Sequence, residues 1–316
     1  LLCGCGALGT VVADQLVRAG VGSIKIVDRD FVELSNLQRQ VLYDERDVEL
    51  RLPKAIAAAE KLRRINSAIE IEPVVADIDY QNIESLARGC DLLLDGTDNF
   101  EVRFLINDAS LEFNIPWIYT GCIGSHGQIM PILPGKTSCL RCLMEEIPDP
   151  GTMETCDTAG VLGPAVAVMS SFETIAALKI LTEQWDALKP VLTVIDVWDG
   201  SYREMKLGKL HESGKCPACG AGRRDWLHGS RGSQSTILCG RNAVQVVPEQ
   251  KRTVDLEELT TRLTSSGKVS GNQYLLRFEP AGTEKEMTIF RDGRAIVKGT
   301  EDLAEARSLY ARYLGT

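Results

Sequence analysis

The chain has 316 residues, 44% of them hydrophobic and 25% charged, enough to close a large core and leave length for a second, smaller domain. Its 35 basic and 44 acidic residues give a net charge of −9, which argues against general binding to nucleic acid or anionic membranes, since phosphate surfaces recruit basic ones. No stretch reads as a membrane span. The longest apolar candidate, residues 161–180, carries Ser170, Ser171, Glu173 and Lys179 and is expected to be a buried helix of a globular protein.

Residues 1–3 read as the end of a strand, 4–9 as a tight glycine loop, and 10–19 as a helix with Val11, Val12, Leu16 and Val17 on one face. Gly20 and Gly22 stop that helix. A short strand over 23–27 ends at Asp28. A helix over 53–65 starts near Pro53 and is rich in Ala and Lys. There follow a strand (69–75), a helix (82–87), a strand (91–94) ending at Asp95, a helix (103–113) and strands at 117–120 and 127–133. After Pro164 come one long helix, a strand (191–197) and a short strand (204–207). Strands and helices alternating at this pitch predict an α/β fold with a mostly parallel, Rossmann-like sheet flanked by helices.

Composition shifts at Gly229-Ser230-Arg231-Gly232-Ser233, placing a linker at 229–235 between a domain over 1–228 and another over 236–316. The second domain reads strand (243–247), helix (256–263), strand (274–278), a hairpin around Asp292-Gly293 and helix (303–313). That β-α-β-β-α order predicts a small α+β domain of unknown role.

Gly4-x-Gly6-x-x-Gly9 follows a strand and opens a helix, so its backbone can approach a phosphate group at the positive end of the helix. Asp28 ends the next strand at the spacing of a ribose-hydroxyl partner. On these residues alone, a nicotinamide or flavin enzyme is as good a reading as any other nucleotide user.

Two further segments decide between them. Ser35-Asn36-Leu37-Gln38-Arg39-Gln40 precedes Leu52-Pro53-Lys54, and Asp95-Gly96-Thr97-Asp98-Asn99 comes later. With the glycine loop, and in this order, they resemble the ThiF/MoeB/HesA family, relatives of the ubiquitin-activating enzymes. The resemblance covers about residues 1–220. It implies ATP-dependent adenylation of the C-terminal carboxylate of a small ubiquitin-like sulfur-carrier protein ending in Gly-Gly, as in thiamine or molybdopterin synthesis. It further implies that Asp28 binds the ribose and that Asn36, Arg39 and Lys54 contact the triphosphate. Asp98 is implied as the Mg²⁺-associated acid, with Gln38 a weaker candidate for the same pocket. Fixed cations and a metal ion suit this chemistry, because attack on the α-phosphate concentrates negative charge on phosphoryl oxygens. Other readings are an NAD-dependent oxidoreductase or a non-catalytic carrier-binding scaffold.

The chain has ten cysteines. Cys139-Leu140-Arg141-Cys142 and Cys216-Pro217-Ala218-Cys219 form two CxxC knuckles, the pattern of a closed four-thiolate zinc site in a reducing, cytoplasmic compartment. The family carries zinc at these two places. Cys156, in Thr155-Cys156-Asp157 ahead of the long helix, resembles the family's reactive cysteine; Pro148 and Pro150 place it on a crossover loop. Cys3, Cys5, Cys90 and Cys122 read as small core or loop residues. The resemblance also implies a homodimer and a sulfur donor such as a cysteine desulfurase. The chain opens directly ahead of the glycine loop, so the N-terminal segment that family members insert into the partner subunit's site is expected to precede it.

Overall fold

The first unit, Leu1–Gly232, begins with β1 (Leu2–Cys3), α1 (Ala7–Ala19), β2 (Ser23–Asp28), α2 (Glu45–Glu49), α3 (Lys54–Ile65) and β3 (Glu70–Val75). It continues with α4 (Ile83–Ala87), β4 (Leu93–Asp95), α5 (Phe100–Phe113), β5 (Trp117–Ile123) and β6 (His126–Ile132). It ends with α6 (Leu140–Leu143), α7 (Gly163–Leu181), β7 (Val191–Asp196), β8 (Ser201–Lys206) and α8 (Gly208–Glu212). The structure, a computed structural model, describes residues 1–148, 159–231, 235–238, 242–248 and 253–315.

One sheet orders these strands β3-β2-β1-β4-β5-β6-β7-β8. Pairing is parallel from β3 through β5 and antiparallel from β5 through β8. The parallel part is the Rossmann-like half that the alternating pattern predicts. Its chain order reverses between β1 and β4, and ligands of open α/β sheets bind outside the carboxyl ends of strands at such a reversal. The glycine loop follows β1 and the 95–99 turn follows β4, so both sequence motifs lie at that point.

Side chains alternate across the sheet with the strand period of two. Leu2, Ile24, Ile26 and Ile118 share a core with Val12 and Leu16 of α1, Ala58 and Leu62 of α3, and Met169 of α7. Cys3, Val27, Leu93, Trp117 and Tyr119 face the other way, toward Phe104 of α5 and Trp226. In α3 the buried residues include Ala55, Ala57, Ala58 and Ala59, small enough to bring the helix close to the sheet. By length and mean hydropathy α7 would also pass as a membrane span, contrary to the sequence reading; half of it is buried inside the protein. Its polar residues are anchored there: Ser170 Oγ donates to Leu8 O at 3.2 Å, and Glu173 is fully buried.

The second unit, Ser233–Thr316, holds β9 (Ser235–Leu238), β10 (Ala243–Val246), α9 (Leu256–Leu263), β11 (Gly267–Gly271), β12 (Leu275–Pro280), β13 (Glu286–Phe290), β14 (Ala295–Lys298) and α10 (Leu303–Tyr313). Its sheet order is β11-β12-β13-β14-β10-β9, antiparallel where paired. The expected β-α-β-β-α order has three strands where the sheet has six: it lacks the two edges, β9 and β11, and the turn at Asp292-Gly293 joins two strands, β13 and β14. Edge strands need no apolar alternation, and Gly267–Gly271 has a single apolar residue, Val269. Leu256, Leu259 and Leu263 of α9 and Ala306 and Tyr310 of α10 pack on Val244, Leu276, Phe278, Met287 and Val297. Asp255 and Asp302 cap the two helices through the N–H groups of Glu257 and Glu258, and of Ala304 and Glu305.

A Cβ at Gly9 would lie 2.2 Å from the backbone oxygen of Gly4. Gly9→Ala is therefore expected to cost about 3 kcal/mol or more in urea unfolding. Gly22→Ala, where nothing lies within 4 Å, should leave the midpoint nearly unchanged.

Candidate adenylate site and metal centre

The glycine loop is held by backbone contact. Gly4 has φ +90°, and a Cβ there would sit 2.6 Å from Gly96 O; a Cβ on Gly96 would sit 2.3 Å from Gly4 O. The turn after β1 thus crosses the end of β4 with no room for a side chain on either. Gly6 occupies the N-cap position of α1, and no side chain caps that end. The helix start keeps its positive character for an anion.

Asp28 is buried beside this loop. One carboxylate oxygen accepts the Cys5 N–H at 2.6 Å and the other accepts the Asp30 N–H at 2.7 Å. Burial pushes this carboxyl above its ordinary range, while Lys54 pulls it back. Lys54, the first residue of α3, is itself buried and lies 3.3 Å from Asp30. Tyr43 closes the arrangement: its buried hydroxyl lies 2.7 Å from Cys5 O and 3.2 Å from Lys54 O. The structure therefore brings Gly4, Gly6, Gly9, Asp28 and Lys54 together.

Asn36 follows in a single 3-10 turn, Leu34–Asn36. It is buried, and its Oδ1 has no hydrogen-bond partner; the same holds for Gln40 Oε1. The Gln40 N–H donates to Asn36 O at 3.0 Å, and Gln40 Nε2 is 3.8 Å from where a Cβ on Gly6 would be. Two buried amide oxygens without partners beside an uncapped helix start are a feature a ligand's hydroxyl or amino groups would satisfy. Arg39 is half-buried, its guanidinium 3.3 Å from Ser35 O, and Gln38 is exposed. Asp98 is exposed in the turn ahead of α5, which Asn99 caps through the Glu101 N–H at 2.8 Å. An exposed carboxylate at the strand ends fits a metal that keeps water and phosphate oxygens among its ligands.

Cys156 lies outside the described residues. The chain that follows it returns to this region. The Gly124 N–H donates to Gly160 O at 2.9 Å, and the Leu162 N–H to Gly124 O at 2.8 Å. A Cβ on Gly163 would lie 3.5 Å from Gln38 O. Burial pushes the Cys3 and Cys5 thiols up to about 12, so both are neutral packing residues.

Cys139, Cys142, Cys216 and Cys219 converge, their sulfurs all within 4.8 Å of one another. The sulfur separations are 3.9 Å (139–142), 3.6 Å (139–216) and 3.4 Å (142–219). A tetrahedral ion with Zn–S bonds near ~2.3 Å requires separations of about 3.8 Å, so the four thiols fit zinc. Helix α5 holds the first knuckle and the segment that follows the second. Asn107 Oδ1 accepts the Leu140 N–H at 2.8 Å, and the buried Asp108 accepts the Trp226 N–H at 3.0 Å. Arg141, buried between the first two thiols, pairs with Asp225 at 3.1 Å and stacks over Trp226 at 4.9 Å.

Sequence reasoning did not assign Asp30, Gln40, Tyr43, Arg103 or Glu173. Gln40 stood inside a quoted motif. Arg103 and Glu173 each interrupt an apolar helical stretch, a signal of a buried polar contact. Nothing local marks Asp30 or Tyr43.

Residues 1–218 match the ThiF family. The chain is 42% identical over 316 residues to the sulfur carrier protein ThiS adenylyltransferase of Bacillus subtilis, covering all of this chain and 92% of that one. It is 32% identical over 226 residues to the Escherichia coli protein of the same name, covering 71% and 87%. Among solved structures, E. coli MccB superposes with a TM-score of 0.60 at 22% identity, covering 69% of this chain and 65% of MccB, a likeness of fold.

Tyr43→Phe should cost about 1 kcal/mol of stability, since it removes the hydroxyl between the glycine loop and α3; thermal unfolding checks this. One metal ion per chain is expected by elemental analysis. Cys139→Ser or Cys216→Ser should abolish it and lower the melting temperature by well over ~5 °C.

Proposed function

The chain belongs to the ThiF family, and from this we propose that it is a sulfur-carrier protein adenylyltransferase. The C-terminal glycine carboxylate of a ubiquitin-like carrier attacks the α-phosphorus of ATP. The bond to the bridging oxygen of the β-phosphate breaks, and pyrophosphate leaves. The product is a mixed anhydride of carrier and AMP, ready for conversion to a thiocarboxylate.

The observation that carries this reading is the pair of unpartnered buried amide oxygens of Asn36 and Gln40, beside the uncapped start of α1. Two such oxygens favour a polar ligand site over a packed turn, and a nucleotide would supply the missing donors. Asp28 has spare lone pairs for ribose hydroxyls. Arg39 and Lys54 supply fixed positive charge to phosphate oxygens, and each is worth most where water is excluded. Lys54 is held by Asp30 at 3.3 Å until a triphosphate competes for it. Asp98 would hold magnesium, which supplies charge neutralisation at the phosphates when bound. The four-cysteine centre would hold zinc as a structural ion, since four protein thiolates leave no position for substrate. Cys156 is our candidate acceptor in the sulfur-transfer step, with a cysteine desulfurase or another persulfide source as donor. The expected assembly is a homodimer.

ATP–pyrophosphate exchange tests the reading. Exchange should require a carrier with an intact Gly-Gly tail, and comparison of ThiS-like with MoaD-like carriers should identify the pathway served. Arg39→Ala, Lys54→Ala and Asp98→Ala should each reduce exchange by about 100-fold or more, while carrier binding in the Asp98 variant stays intact. Exchange that ignores the tail, or tight NAD binding without ATP dependence, would overturn the assignment.

A further inference from the structure

Glu173 lies in the apolar helix α7 and is fully buried. One of its carboxyl oxygens accepts the backbone N–H of Asp95 at 3.1 Å, across 78 residues of chain. The place is where the sheet divides. The β4–β5 ladder pairs Leu93 with Trp117 and Leu94 with Ile118, and there the pairing stops. Past it, two side chains take over the role of the missing ladder. Glu173 takes the Asp95 N–H. Arg103 donates from Nε to Asp95 Oδ2 at 2.9 Å, and from Nη2 to Thr97 O at 2.7 Å and Thr120 O at 3.1 Å. The other Asp95 oxygen accepts the Thr97 N–H at 2.9 Å and the Thr97 hydroxyl at 2.7 Å. The turn that presents Asp98 is therefore anchored from below by a carboxyl on the helix that follows Cys156 in the chain.

We propose that Glu173 is a positioning residue, which holds the 95–99 turn and through it Asp98 in register with the glycine loop. The inference rests on the adenylation reading for its functional consequence but not for its structural one. Two carboxyls and one guanidinium share this buried space, so charge balances when one acid is neutral. Burial and the neighbouring Asp95 push Glu173 well above the ordinary carboxylate range, against the opposing effects of the Thr120 hydroxyl, the Asp95 N–H and Arg103. The oxygen that accepts the Asp95 N–H can do so in either protonation state, and the other carboxyl oxygen has no hydrogen-bond partner. A glutamine would present the same oxygen at the same reach. Leucine would fill similar volume and leave the Asp95 N–H unpaired, and aspartate would be one methylene short.

The test compares Glu173→Gln, Glu173→Leu and Glu173→Asp with the wild-type full chain. Hydrogen–deuterium exchange of the 95–99 segment is the readout that needs no activity. Protection should survive in the Gln variant and fall by about tenfold or more in the Leu and Asp variants. In ATP–pyrophosphate exchange, the Leu and Asp variants should lose about tenfold in kcat and need several-fold more Mg²⁺. Their KM for the carrier should hold, and the Gln variant should stay within about threefold of wild type. If the Leu variant does not fold, the Gln and Asp pair decides. Unchanged protection and Mg²⁺ dependence in a folded Leu or Asp variant would overturn the proposal, as would a Gln variant as damaged as the other two. A wild-type chain that performs no exchange refutes the adenylation reading instead, and the deuterium result still judges the anchor.

Discussion

Gly4 and Gly96 face each other backbone to backbone, and neither leaves space for a Cβ. This contact fixes how closely the turn after β1 approaches the end of β4. Gly9 extends it, because its own Cβ position is occupied by Gly4 O. With the loop pressed against the neighbouring strand, the Cys5 N–H points at Asp28 and the start of α1 is left open. Each polar group of the site is placed relative to this crossing.

Buried charge in the first unit is held in sets of opposite sign. Asp28 and Asp30 face Lys54; Asp95 and Glu173 face Arg103; Arg141 lies against Asp225 and Trp226. Burying such groups is unfavourable unless each charge has a partner and hydrogen bonds. Their return is geometric, since each set fixes a turn or a strand end that the hydrophobic core alone would leave adjustable. Helix α5 joins two of these sets. It begins beside Asp98, carries Arg103 to the strand ends, and further along holds the first cysteine knuckle through Asn107 and the segment after the second through Asp108. A metal at the four cysteines would thus stiffen the same helix whose first turn follows Asp98.

Much of the architecture is legible without coordinates because its signals are local. The strand–glycine loop–helix unit, the acid ending β2 and the knuckle spacing each depend on a few neighbouring residues. The same holds for the alternating pattern behind the parallel sheet. The edge strands β9 and β11 carry no such local signal, because an edge strand needs no apolar alternation. The antiparallel direction of β6 and β7 is not written in their residues, and only pairing distinguishes it.

The amino-acid sequence by itself pointed to the family, the glycine loop and the four cysteines that converge, because glycine, cysteine and spacing act over short chain distances. Tertiary structure alone decided which charges meet. Asp30 pairs with Lys54 across 24 residues, Tyr43 reaches Cys5 across 38, and Glu173 reaches Asp95 across 78. No periodicity records such separations. They follow from packing two helices and a sheet into one space, where every buried polar atom must find its partner wherever the fold brings one within reach.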